Sequence, residues 1–137
     1  MRKEFDEQLC KEFPKIFRDR RGNMMQTAMC WGFDCDDGWF QLLRELCLKL
    51  QKYADKMGPE YQPIATQVKE KYGTLRFYVM AGDEFIWKCI DEADAISAKT
   101  CEVCGNEGKL RGYGWVKTLC DKHRDELEYE DFEEKEE

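Results

Sequence analysis

The residues best equipped for chemistry lie towards the C-terminus: Cys101-x2-Cys104 and, after fifteen intervening residues, Cys120-x2-His123. Thiolates and imidazole are soft or borderline donors, and four of them complete a tetrahedron around zinc. Cys-x2-Cys folds into a tight knuckle that presents two thiolates to one ion. Four protein ligands make a closed, structural site, whereas a catalytic zinc keeps one position open for water. His123 is the only histidine in the chain. Once it binds zinc, no imidazole remains for general acid or base work, and Ser-His and Cys-His nucleophile pairs are excluded. The pattern predicts one structural zinc per chain at Cys101, Cys104, Cys120 and His123, and no enzyme.

The intervening residues supply the elements such a site needs. Gly105 suits the knuckle turn, and residues 109–111 and 115–119 flank Gly112-Tyr113-Gly114, the signature of a short hairpin. A helix starting near Asp121 carries Cys120 and His123 on its first turn, with Leu127 following. Knuckle, hairpin and then ligands at a helix N-terminus is the order of a treble clef, and this segment resembles that class of zinc module. HNH-type nucleases, which add a catalytic histidine beside such a site, match poorly because the chain has no second histidine.

Two further groups carry ligand-binding residue types. The loop Trp31-Gly32-Phe33-Asp34-Cys35-Asp36-Asp37-Gly38-Trp39-Phe40 combines aromatics with carboxylates. Trp31, Asp36, Asp37 and Trp39 are candidates to grip a ligand's ring and donor groups. The simpler alternatives are that Asp36 or Asp37 caps the next helix and that both tryptophans anchor the core. A hard cation on Asp34, Asp36 and Asp37 would lack the spaced oxygen ligands and terminal glutamate of an EF-hand loop. The second group is Lys69, Lys71, Tyr72, Arg76 and Tyr78, basic and aromatic residues of the kind that hold phosphates and stack bases. The polar positions of any half-buried hairpin have a similar composition. The basic turn Arg18-Asp19-Arg20-Arg21-Gly22-Asn23 is a weaker anion-binding feature.

The positioning elements follow from periodicity. Residues 2–17 place Phe5, Leu9, Phe13 and Ile16 or Phe17 at helical spacing until Pro14 interrupts. Residues 38–57 carry one apolar stripe that serves a core or an oligomer interface, and Gly58-Pro59 stops that helix. Residues 64–68 and 74–80 are two strands joined by a tight turn, hence an antiparallel hairpin. A helix over residues 84–98, capped by Asp83, leads into the zinc knuckle. The expected fold is α+β: helices packed on a small antiparallel hairpin or sheet, closed by a C-terminal treble-clef-like zinc module. Residues 1–99 form the body, 100–128 the zinc module and 129–137 an acidic tail expected to be disordered.

Charge is unevenly spread. Residues 125–137 hold nine acidic residues and one lysine, so the net charge of -7 leaves residues 1–124 within one charge of neutral. Such a body offers little counterion-release affinity for nucleic acid. No apolar run is long enough to cross a membrane, and the charged start Met1-Arg2-Lys3-Glu4 lacks the apolar core of a secretory signal, so a cytoplasmic protein is expected. The five cysteines not claimed by zinc, Cys10, Cys30, Cys35, Cys47 and Cys89, are an odd number at irregular spacing, mostly at apolar positions. They are expected to be reduced core residues, a Cys30 to Cys35 bridge being the alternative.

Trp31 to Trp39, the run Gln67-Val68-Lys69-Glu70-Lys71-Tyr72-Gly73-Thr74-Leu75-Arg76-Phe77-Tyr78, the knuckle Cys101-Glu102-Val103-Cys104-Gly105 and the run Trp115-Val116-Lys117-Thr118-Leu119-Cys120-Asp121-Lys122-His123 occur in that order. Together they resemble a group of small, uncharacterised zinc-binding proteins carried by tailed bacteriophages and prophages, over about residues 13–123. The resemblance implies an accessory phage protein in a bacterial cytoplasm, of the sort that counters host defence or redirects host machinery; it assigns no catalytic residue. Two functions fit these features. The first is a non-enzymatic binding protein that captures a host protein or a small anionic signalling molecule. The alternative is a nucleic-acid-binding zinc module, which the charge balance disfavours.

Overall fold

The apolar stripe over residues 38–57 becomes α2 (Phe40–Met57), which buries Leu42, Leu43, Leu46, Cys47, Leu50 and Ala54 along one face. The structure, a computed structural model, describes residues 1–132. A separate 3-10 turn, Asp37–Trp39, precedes α2. Neither aspartate caps it through its side chain: Asp36 holds the N-cap position without a side-chain cap bond, and Asp37 turns to Arg2. At the other end the Gly58 N–H donates to the Ala54 carbonyl at 2.8 Å, the expected glycine stop. Helix α1 (Lys3–Glu12) ends at Phe13, ahead of Pro14; it buries Leu9, and the turn that follows adds Phe13, Ile16 and Phe17 to the core. Helix α3 (Glu84–Ser97) starts at Asp83, whose Oδ1 accepts the Ile86 N–H at 3.0 Å, and packs on α2.

Strands β2 (Ile64–Lys71) and β3 (Thr74–Met80) form the expected antiparallel hairpin, with Val68 opposite Phe77, Lys69 opposite Arg76 and Lys71 opposite Thr74. The sheet gains a third member that periodicity did not indicate. Strand β1 (Phe33–Asp34) runs parallel to β2, with Phe33 opposite Val68, giving the order β1-β2-β3. Two residues are too few to show an alternation, so this pairing is visible only in three dimensions. The free edge of β3 is covered by α3: the Leu75 N–H donates to Ser97 Oγ at 2.8 Å, which removes a template for intermolecular pairing. Inside, Leu9, Ile16, Trp39, Leu43, Leu50 and Val68 are fully buried. Each aliphatic side chain among them contributes about 1.5–3 kcal/mol of transfer free energy. The fold is α+β, as the sequence predicts.

The C-terminal segment pairs β4 (Lys109–Arg111) with β5 (Lys117–Leu119) and ends in the short α4 (Asp121–Glu126). It is not a loose appendage. The Gly38 N–H donates to the Glu102 carbonyl at 2.7 Å, the Asp36 N–H to Glu102 Oε2 at 2.9 Å, the Trp39 indole N–H to the Thr100 carbonyl at 2.9 Å and the Thr118 hydroxyl to the Gly73 carbonyl at 2.6 Å. Gly38 is required by closeness: a Cβ there would lie 2.2 Å from the Cys101 carbonyl oxygen.

The acidic tail departs from expectation over its first residues. The chain turns back after α4, the Gly112 N–H donates to the Glu130 carbonyl at 2.6 Å, and Asp131 accepts from the guanidiniums of Arg111 and Arg124. Repulsion among the tail's acidic residues is offset because Arg111 is nearly fully buried and directs its guanidinium at Asp121 and Asp131. Residues 133–137 of the expected disordered tail lie outside the described residues. Arg20, in the basic turn, is not available to an anion, since it pairs with Asp6 at 2.9 Å and donates to the Cys30 carbonyl at 3.0 Å. No helix among the described residues is long and apolar enough to cross a membrane.

Candidate metal centre and adjoining groove

Cys101 and Cys104 come from the turn after α3, and Cys120 and His123 from the N-cap and first turn of α4. The knuckle is closed by three bonds: the Gly105 N–H to the Cys101 carbonyl at 2.9 Å, the Cys101 N–H to the Asn106 carbonyl at 2.7 Å and the Asn106 N–H to Cys104 Sγ at 3.5 Å. The four ligand atoms all lie within 4.8 Å of one another. Cys104 Sγ is 3.7 Å from Cys120 Sγ, and His123 Nδ1 is 3.6 Å from Cys101 Sγ and 3.2 Å from Cys120 Sγ. His123 therefore turns Nδ1 inward, while its Nε2 lies 3.6 Å from Glu126 Oε2, a carboxylate placed to orient the ring.

The protons of the cluster are strained in opposite directions. Burial and the neighbouring Cys101 and Cys120 thiols push the Cys104 thiol up to about 11, against the Asn106 N–H. Burial also acts against the Cys120 thiolate, but bonds to His123 and to the other two cysteines bring it down to about 7. Three crowded thiolates repel one another, and a cation among them removes that repulsion. Cys101, Cys104, Cys120 and His123 thus form a Cys3His cluster compatible with one metal ion. Cys101 is buried, whereas Cys104 is exposed.

Beside the cluster, Glu102 is nearly inaccessible. Burial pushes its carboxyl up to about 7, opposed by Lys117 and by the Asp36 N–H. Its Oε1 and Arg76 Nε are the buried side-chain polar atoms without a hydrogen-bond partner among the described residues. The remaining cysteines are free thiols: Cys30 is half-buried and donates to the Thr27 carbonyl at 3.3 Å, Cys35 is buried with its thiol pushed up chiefly by burial, and Cys47 likewise.

The aromatic and acidic loop does not converge on one point. Trp39 is 0% exposed and belongs to the core, while Trp31 is 73% exposed. Asp37 clamps the start of α1 by accepting the Arg2 N–H at 2.7 Å and its guanidinium at 2.8 Å. Burial opposes its charge, but these two bonds outweigh it and hold the carboxyl below the usual range. Asp36 pairs with Lys117 at 3.1 Å, fastening β5 to the body.

The basic hairpin group divides. Arg76 leans towards Asp94 of α3, 3.8 Å away, and with Tyr78 and Trp87 lines a shallow depression there. Lys69, Lys71 and Tyr72 line a separate groove nearer the β2–β3 turn, whose far wall is Tyr113, Gly114, Trp115 and Val116 from the β4–β5 loop. The two walls meet because Gly73 is a glycine: its φ of +85° suits the turn, and a Cβ there would strike Leu110 Cδ1 at 2.5 Å. The groove encloses roughly 500 Å³. Tyr72 itself adopts φ +54°, a left-handed conformation that costs an ordinary side chain roughly 1–2 kcal/mol, and its ring is 69% exposed. Trp115 is 88% exposed. Tyr113, Trp115 and Val116 were not among the sequence candidates, since only the packing of two distant hairpins brings them to Tyr72. The usable signal was a turn position that favours Asn or Gly but holds tyrosine.

Comparison with known proteins adds no assignment to this geometry: no family model, curated protein or solved structure matches the chain.

Proposed function

We propose that the Cys3His cluster holds one structural zinc ion and that the chain is a non-enzymatic binding protein whose zinc-stapled module completes its binding face. The observation that carries this reading is the convergence of the four ligand atoms within 4.8 Å. A tetrahedral zinc with ordinary Zn–S and Zn–N bonds sets its ligands about 3.8 Å apart for sulfur pairs and about 3.6 Å apart for sulfur and nitrogen. The Cys104 to Cys120 and Cys101 to His123 separations, 3.7 and 3.6 Å, match those edges, and the Cys120 to His123 separation, 3.2 Å, is shorter. Ligand softness favours zinc over calcium or magnesium, which take oxygen donors. The binding reading is supported by the only histidine being a ligand of the cluster, which leaves no imidazole for proton transfer.

The setting we propose, an accessory protein of a phage or prophage acting in the bacterial cytoplasm on a host protein or small anionic signal, is supported by the resemblance over residues 13–123. Native mass spectrometry of the purified chain tests the reading. One zinc per chain, lost in Cys104→Ser, is the expected result. A metal-free chain that remains folded, or a Cys104→Ser variant that keeps its zinc, would overturn it.

A further inference from the structure

The groove between the β2–β3 turn and the β4–β5 loop has features that neither the core nor the metal centre uses. Tyr72 is held in a left-handed turn position, yet it is mostly exposed and lies outside the core. Trp115 and Tyr113 on the opposite wall are likewise exposed. The ammonium of Lys71 stands 5.5 Å from the centre of the Tyr72 ring, and Lys69 lines the same wall. Nearby cations are committed elsewhere, Lys117 to Asp36 and Arg76 towards Asp94. The one acid on the wall, Glu70, turns its carboxylate to the Gly73 N–H at 3.0 Å. What remains is a set of open aromatic faces beside two lysines, in a space of the size that holds small ligands.

We propose that this groove binds a free nucleotide, its base stacked on the exposed rings of Trp115 and Tyr72 and its phosphate held by Lys69 and Lys71. Flat aromatic side chains accept any base because every base has a π-face, and an ammonium neutralises phosphate without demanding a fixed geometry. A free nucleotide is favoured over a running strand by the charges around the groove. On the far side of Trp115, Glu128 and Glu130 line the next depression, and a polyanion passing over the indole would meet them. The proposal rests on the binding-protein reading above and specifies its ligand class.

The test uses the full chain in its zinc-loaded form. The four ribonucleoside 5′-monophosphates, the dinucleotide pApA, adenosine, inorganic phosphate and a short oligothymidylate are titrated by calorimetry, and zinc content is measured on the same samples. The expected result is saturable one-to-one binding of at least one nucleotide. Adenosine and inorganic phosphate should bind at least about tenfold more weakly, since each supplies half of the recognised chemistry. Trp115→Ala and the double variant Lys69→Ala with Lys71→Ala should each weaken the nucleotide about tenfold, with zinc content and melting temperature unchanged. Absence of binding by every nucleotide up to millimolar concentration would overturn the proposal. So would nucleotide binding indifferent to Trp115→Ala, or an oligothymidylate that binds more tightly than any nucleotide, which would assign the groove to single strands. A chain that keeps its zinc but ignores nucleotides overturns the ligand class alone; a folded chain without zinc overturns the underlying reading.

Discussion

The Cys3His cluster and the groove share the C-terminal module, which supplies all four cluster residues but only one wall of the groove, yet they are opposite kinds of structure. The centre turns its functional atoms inward until four of them share a volume 4.8 Å across. The groove turns its aromatic residues outward, with Trp115 88% and Tyr72 69% exposed. The first arrangement suits a job that is finished when the protein folds, because binding an ion at such a cluster would be coupled to folding. The second suits a job that begins afterwards. The tryptophans repeat the contrast: Trp39 donates its indole N–H to Thr100 and is sealed in the core, whereas Trp115 is open to solvent on the same module's loop.

Removing a metal ligand should give the largest effect. Cys104→Ser is expected to abolish stoichiometric zinc and lower the melting temperature by on the order of 10 °C or more, measured by calorimetry. Trp39→Ala comes next, with a loss of about 3–5 kcal/mol in urea unfolding, because it empties a fully buried site and leaves the Thr100 carbonyl without its donor. Gly38→Ala should cost about 1–3 kcal/mol by forcing the knuckle away from α2, and should also slow zinc uptake by the apo chain. If either body variant left the C-terminal module as stable as before, the two would be less tightly joined than the bonds between them imply.

A smaller effect should separate the folded start of the tail. The hydrogen bonds and charge of Arg111 hold the Asp121 and Asp131 carboxyls below their usual range. A depressed carboxyl contributes stability that is present above its unfolded pKa and is lost as pH falls through the folded value, so this docking weakens in acid below about pH 4. Acid also displaces metal from thiolates. Asp131→Asn at neutral pH isolates the tail, and the expected outcome is faster hydrogen exchange at the Gly112 amide, which donates to Glu130. Smallest of all, Trp115→Ala should change stability by less than about 0.5 kcal/mol, since it removes a ring that packs on little. A large loss of stability in that variant would show that the ring is structural and erase the contrast with Trp39.

The metal centre was legible in the sequence because its information is local. Two x2 spacings mark one knuckle and one helix start, and the apolar stripe of α2, the Gly58 stop and the Asp83 cap are likewise written within a few residues. The groove was legible on one wall only. Lys69, Lys71 and Tyr72 carried a signal, but Tyr113 and Trp115 join them through the Gly73 to Leu110 contact, some forty positions away in the chain. The fates of Asp36 and Asp37 were hidden for the same reason: their partners, Lys117 and Arg2, are distant in sequence, so a local cap was the natural expectation. Arg20, a loop cation by its neighbours, is matched by Asp6 of α1. The two-residue β1 carried no period to detect.

If the cluster is a structural zinc site, as proposed, metal binding should lock the C-terminal module onto the body at Trp39. This coupling is tested most directly by following exchange of the Trp39 indole proton by NMR while a chelator withdraws the ion. The account predicts strong protection with one zinc bound and rapid exchange once the zinc is gone, because the Thr100 carbonyl that accepts this proton immediately precedes the first ligand, Cys101. Protection that survives complete removal of the metal would contradict it and show that the body holds this contact unaided.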